Sequence, residues 1–152
     1  MAVVLGLDYG SRRIGLALSD PTGTIASAAG CHRTPDDGSI LERIRDLVRE
    51  RAVVAIVVGL PLTADGREGE MAAAARRFAG RLDAEFGLPV HLVDERFSSQ
   101  EADAWLRAAS RRAGGRRAKS ARSRGERDEI AAELILQQYL DARGRSGGGG
   151  DA

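Results

Sequence analysis

The chain reads as an α/β protein built on a mixed sheet with helices packed against it. Three observations predict this class. Residues 3–8, 52–60 and 90–95 are short runs rich in Val, Leu and Ile, as buried strands require. The first of them runs through a glycine turn into a second apolar segment, which suggests an antiparallel meander. From residue 39 onward, apolar residues at helical spacing alternate with strand-like runs, so later strands are joined by helices.

Taken in order, residues 3–8 form the first strand and "RIGLALS" (13–19) the second. Gly10-Ser11-Arg12 is the turn, with Gly10 able to take the positive φ of a tight hairpin. "GTIASAAGC" (23–31) is a third strand, punctuated at its start by Pro21 and Gly23. Ser39 and Glu42 make a capping-box pattern, and Ile40, Ile44, Leu47 and Val48 follow at helical spacing. "AVVAIVVGL" (52–60) is a continuous apolar run, expected for a central strand covered on both faces.

"PLTADGREG" (61–69) is a loop with an Asp65-Gly66 turn. Met71, Ala75, Phe78, Leu82 and Phe86 mark one face of a helix stopped by Gly87 and Pro89. "VHLVDE" (90–95) is the fifth strand. Ser98 and Glu101 form a second capping box, starting a helix through Trp105 and Leu106. A last helix is expected from Arg127 to Asp141, carrying Ile130, Leu134, Ile135 and Tyr139. The order is β-β-β-α-β-α-β-α-α, in one domain over 1–142, with 143–152 a flexible glycine-rich tail.

Composition narrows the function. No secretory signal pattern opens the chain, and the longest apolar run, residues 52–62, is too short to span a bilayer. A single cysteine, Cys31, excludes an internal disulfide and a cysteine-based zinc cage, and reads as a small buried or half-buried hydrophobe. A cytoplasmic protein without membrane contact is expected. His32 and His91 are isolated and cannot furnish a Ser-His-Asp arrangement, and Ser98 and Ser99 read as helix caps.

Net charge is +1, yet the charge is unevenly spread. Between Arg107 and Arg127 lie nine basic residues and one acid, Glu126. Arg116, Arg117, Lys119, Arg122 and Arg124 fall in a stretch with Gly114, Gly115 and several serines. It is either a solvated surface loop or a segment suited to the phosphates of a polyanion.

Three acids stand outside the usual surface positions. Asp8 ends the first strand, Glu95 ends the fifth, and Asp128 lies in the first turn of the last helix. Ala131, Ala132 and Ile135 follow Asp128 at three, four and seven positions and share its face. Each acid has an ordinary explanation: a hairpin turn for Asp8, a strand-end acid or partner of Arg96 for Glu95, an N-terminal helix charge for Asp128. If all three meet at one end of the sheet, their mutual repulsion requires a cation. Oxygen donors of this type suit Mg²⁺ or Mn²⁺, and a two-metal pair would suit phosphodiester hydrolysis.

Four motif blocks support that convergence. "GLDYGSRRIGLALSD", "IVVGLPLTADG", "VDERFSSQEA" and "RDEIAAELILQQYL" resemble, in order and over nearly the whole chain, the YqgF/RuvX family. The resemblance implies the RuvC-like branch of the RNase H-like fold, a five-stranded mixed sheet with helices on both faces. It also implies an acidic metal site at Asp8, Glu95 and Asp128, binding Mg²⁺ or Mn²⁺, and nuclease activity in 5′-end processing of precursor 16S rRNA. Resolvases of the RuvC type carry a further aspartate on the last helix; position 131 here is alanine, with Glu129 nearby.

Beside such a site, Arg12, Arg13 and Arg96 become candidates for substrate phosphate, together with the basic 107–127 segment. Tyr9, Phe97 and Trp105 are the aromatics near these segments, with base stacking as one role and core packing as the other. Two other functions fit the same residues. One is a Holliday-junction resolvase or other branched-DNA nuclease, which implies a homodimer to cut two strands. The other is a nucleic-acid-binding module without catalysis. The Asp8, Gly10, Gly15 spacing also resembles the phosphate hairpin of actin-like kinases, but those proteins have two domains, and no GxxxxGK[ST] loop is present.

Overall fold

The computed structural model describes residues 2–10, 12–33, 38–61, 69–95 and 124–150; for Glu95 and for residues 124–129 and 145–150 it describes the backbone. Five strands, β1 (Val3–Tyr9), β2 (Arg13–Ser19), β3 (Ala26–Arg33), β4 (Val53–Pro61) and β5 (Val90–Glu95), form one sheet in the order β3-β2-β1-β4-β5. β1, β2 and β3 are antiparallel neighbours, whereas β4 runs parallel to both β1 and β5. Helices α1 (Ser39–Arg51), α2 (Glu70–Phe86) and α3 (Arg124–Gly150) complete the described fold. The helix expected from Ser98, the 61–69 loop's Asp65-Gly66 turn, and Trp105 and Phe97 lie outside the described residues.

Strand alternation divides the core in two. Leu5, Leu7, Ile14, Leu16, Ile56 and Val58 point to α1 and α2, where they pack with Ile40, Ile44, Phe78 and Leu82. Val4, Ala17, Ala26, Ala55 and Val57 point the other way and pack with Ala132, Ile135, Leu136 and Leu140 of α3. β4 lies between β1 and β5 and is buried on both faces from Ala55 to Leu60, as its unbroken apolar run requires. Helices therefore cover both faces of a five-stranded mixed sheet, as expected.

α3 runs antiparallel to β1 and β3 and also protects the sheet edge. Gln137 Oε1 accepts from Ala26 N–H at 2.9 Å, and Glu133 Oε1 accepts from Ala28 N–H at 3.1 Å. Both donors face outward from the edge strand β3, so α3 side chains occupy groups that another chain could otherwise pair.

Several local expectations are corrected. The capping box at Ser39 and Glu42 does not form: Gly38, with φ 84°, is the cap residue, and no side chain caps the helix. Ser39 Oγ lies instead 2.9 Å from His32 Nε2. β3 begins at Ala26 rather than residue 23 because Asp20 closes a turn over 20–25. Its carboxylate accepts from Thr24 N–H at 2.8 Å, from Ile25 N–H at 2.9 Å and from the Thr22 hydroxyl.

Gly10 does not take a positive φ. Its need for glycine is steric, since a Cβ there would lie 2.7 Å from the Arg13 carbonyl oxygen. The last helix starts at Arg124 and continues past Asp141 to Gly150. Gly144 does not adopt the left-handed conformation that commonly ends a helix, and no proline follows.

Candidate nuclease site

Asp8 is the penultimate residue of β1, half-buried, on the face covered by α3. Val4 and Gly6 precede it on that face. On β2 its partner is Gly15. On β4, one residue beyond the Leu7–Val58 pair, its neighbour is Gly59. Neither adjoining strand thus sets a side chain beside Asp8.

Position 95 lies on the same face. Gly59 pairs with Val93 and Pro61 with Glu95, so β5 carries Glu95 two residues beyond the level of Asp8. Val93 packs in the α3 cluster, and the His91 ring stacks on Tyr139 of α3 at 5.2 Å. Alternation then assigns His91, Val93 and position 95 to one face. The stacking also accounts for His91 as a packing residue.

The third position follows from how α3 is seated. A Cβ on Gly6 would meet Leu136 Cβ at 2.7 Å and the Ala132 carbonyl oxygen at 3.3 Å. Asp8 lies one strand repeat beyond Gly6, about 7 Å, and residue 128 lies one helical turn beyond Ala132, about 6 Å. Since β1 and α3 are antiparallel, both steps lead the same way. Positions 8, 95 and 128 therefore share one sheet face and one end of the molecule. That end lies at the carboxyl ends of β1, β4 and β5, where β1 connects towards β2 and β4 towards β5. Such switch points are where open α/β sheets bind ligands. The positive end of the α3 dipole lies there too.

Of the arginines expected to contact substrate, Arg12 is exposed at the hairpin tip and Arg13 is half-buried at the start of β2. Gly10 N–H donates to Arg13 O at 2.9 Å and closes that hairpin at the Asp8 end. Arg124 begins α3. Arg96, Arg116, Arg117, Lys119 and Arg122 lie outside the described residues. Sequence reasoning missed Arg33, which pairs with Arg13 across β2 and β3 at this same end. Its available signal was Gly30, a glycine within a strand pattern, which often marks a bulge.

Comparison with known proteins agrees with the fold and the motifs. The family model described as "RuvX: Holliday junction resolvase" matches residues 2–142. A relative from Koribacter versatilis (strain Ellin345), named "Putative pre-16S rRNA nuclease", is 41% identical over 142 residues, covering 93% of this chain and 88% of that protein. One of the same name from Anaeromyxobacter sp. (strain K) is 45% identical over 140 residues, covering 91% and 96%.

Among solved structures, Thermus thermophilus RuvC in complex with a Holliday junction substrate aligns with a TM-score of 0.57 at 20% identity, covering 94% of this chain and 96% of that one. Fowlpox virus resolvase with Holliday junction DNA aligns with a TM-score of 0.59 at 12% identity, covering 92% and 97%. These structures share the fold, which is RNase H-like. With four motif blocks in order and a family match over nearly its whole length, this chain belongs to the RuvX family.

Proposed function

We propose that this protein is a divalent-metal-dependent nuclease that hydrolyses phosphodiester bonds in the 5′-end processing of precursor 16S rRNA, in the cytoplasm. One observation carries the reading: acidic positions 8, 95 and 128 occur on the same sheet face at the same end. The relatives named as precursor 16S rRNA nucleases supply the substrate class.

Asp8, Glu95 and Asp128 are the residues that would hold Mg²⁺ or Mn²⁺. The donor set fits, because carboxylate oxygens are what these hard cations prefer. The glycines beside Asp8 fit as well, since neither Gly15 nor the adjacent Gly59 adds a side chain of its own there. When bound, such an ion supplies Lewis-acid polarisation and makes water a better nucleophile at neutral pH. The protein's own residues orient the substrate. Arg12 and Arg13 at the hairpin, with Arg96, Arg116, Arg117, Lys119, Arg122 and Arg124, hold backbone phosphates. Water attacks the phosphorus of the aligned diester and one ester oxygen leaves; the phosphate and the three acids, all negative, would repel one another unless a cation lay between them.

Asp8→Asn removes one charge and keeps the shape. It is expected to abolish Mg²⁺- or Mn²⁺-dependent cleavage while leaving the circular dichroism spectrum and unfolding midpoint unchanged. Retained cleavage refutes the assignment.

A second reading keeps the chemistry and changes the substrate to a four-way DNA junction. The family description and the resolvase structures of the same fold favour it. It requires a homodimer to cut two strands. Cleavage of precursor 16S rRNA, single-stranded DNA and four-way junctions, compared at equal protein and metal concentration, separates the two.

A further inference from the structure

Arg13 and Arg33 stand directly opposite each other on β2 and β3. Like charges so placed destabilise an antiparallel pair. Among the described residues, neither guanidinium has an ion-pair or hydrogen-bond partner.

Arg33 reaches the Asp8 face only through an irregularity. Ala17 pairs with Ala28 but Leu16 pairs with Gly30, so Ala29 is an extra residue, and Gly30 has φ 109°. A bulge of one residue inverts the alternation of every side chain beyond it. Before the bulge, Ala26 packs in the α3 cluster. After it, His32 points to the opposite face, where its ring meets Ser39 at the start of α1. Arg33, next in the strand, therefore shares the α3 face with Arg13 and Asp8. In a regular β3 it would face α1.

The backbone thus departs from regularity and sets two like charges side by side at the Asp8 end of the sheet. The bulge also seats His32 against Ser39, but the pairing of two like charges adds nothing to folding, whereas an anion between the guanidiniums would offset it. We infer that Arg13 and Arg33 form a two-arginine clamp for a backbone phosphate of the nucleic acid strand. This rests on the nuclease reading and adds a binding subsite to it. By sheet spacing, the Arg13 and Arg33 Cα atoms lie about 8 and 12 Å from that of Asp8. The clamped phosphate is then a near neighbour of the one being cut on the same strand. The clamp positions the strand and takes no part in bond breaking.

The test is fluorescence anisotropy with a 5′-labelled single-stranded RNA in EDTA, titrated over a range of salt. The variants are Arg33→Gln, Arg33→Lys, Arg13→Gln and, as control, Arg49→Gln on the exposed surface of α1. Each lost phosphate contact is expected to lower the slope of log K against log salt by about 0.7. Arg33→Gln and Arg13→Gln should each weaken binding and lower the slope by part of this, and the double variant by about 0.7, while Arg33→Lys and Arg49→Gln keep the parent slope. The unfolding midpoint of Arg33→Gln should equal or exceed the parent's, because a repulsion is removed.

A parent-like slope and affinity for Arg33→Gln overturns the clamp, and so does a fall in its midpoint, which would mark a structural role. Absence of RNA binding by the parent protein overturns it as well. Cleavage assayed in parallel distinguishes the two readings. A changed slope without cleavage by the parent supports the clamp and rejects the nuclease. Cleavage with an unchanged slope does the reverse.

Discussion

Replacing Gly6 by alanine tests how closely α3 must sit on β1 for the acids to share a site. The added Cβ would lie 2.7 Å from Leu136 Cβ. Ordinary contact begins near 3.4 Å, so about 0.7 Å must be found by movement. Leu136 Cβ is fixed to the helix backbone and cannot swing aside, so the helix itself must shift. Overpacking of this kind costs about 1–3 kcal/mol, and the lower entropy of the unfolded alanine chain returns about 0.4–1 kcal/mol. A net loss of about 1–2 kcal/mol is expected in urea unfolding.

The same shift moves position 128 relative to Asp8, and displacements of this order cost about 10²-fold in rate. Gly80→Ala is the matched control. It lies in α2 with nothing within 4 Å of its added Cβ, and should stabilise by about 0.5–1 kcal/mol with cleavage unchanged. Parent-like stability and rate in Gly6→Ala would refute the close seating of α3 as the device that aligns the site.

Two further outcomes can be checked. Asp20 is held well below its ordinary carboxyl value by the Ile25 N–H, the Thr22 hydroxyl and the Thr24 N–H. A depressed folded pKa gives stability that is present above the unfolded value, near 3.8, and is lost as pH falls. Asp20→Ala should therefore flatten the dependence of stability on pH below about 4, measured by urea unfolding at stepped pH. Gln137→Ala removes the acceptor of Ala26 N–H and the donor to Thr24 O, both at 2.9 Å, and should cost about 1–3 kcal/mol with increased hydrogen exchange confined to the start of β3.

What could be read from the sequence depended on whether a residue's role is set by its neighbours in the chain or across the fold. β4 was legible because a strand buried on both faces needs an unbroken apolar run, and Val53–Pro61 supplies one. The helix faces of α1 and α2 were legible for the same local reason. Ser39 was not. Its spacing to Glu42 matches a cap, but His32, seven residues earlier, takes its hydroxyl, and that contact exists only once β3 packs beside α1. Gly10 lies in the expected turn for a different reason, since the obstacle to a side chain is a carbonyl three residues away rather than φ.

The site divides along the same line. Asp8, Glu95 and Asp128 could be singled out because the first two sit at strand ends and the third near the start of a recognisable helix, although α3 begins at Arg124 and so places Asp128 one turn further in. That positions 8 and 95 share a face requires the β1–β4–β5 register, and that position 128 joins them requires the contact of Gly6 with Ala132 and Leu136. Arg33 shows where local reading stops. Gly30 announced a bulge, but the face on which Arg33 emerges depends on counting pairs on both sides of it: Ala17 with Ala28, then Leu16 with Gly30. One residue more or less in β3 would turn that arginine towards α1 and away from any phosphate near Asp8. The parity of β3 is therefore as much a condition for strand binding at this end as the charge of the side chain it carries.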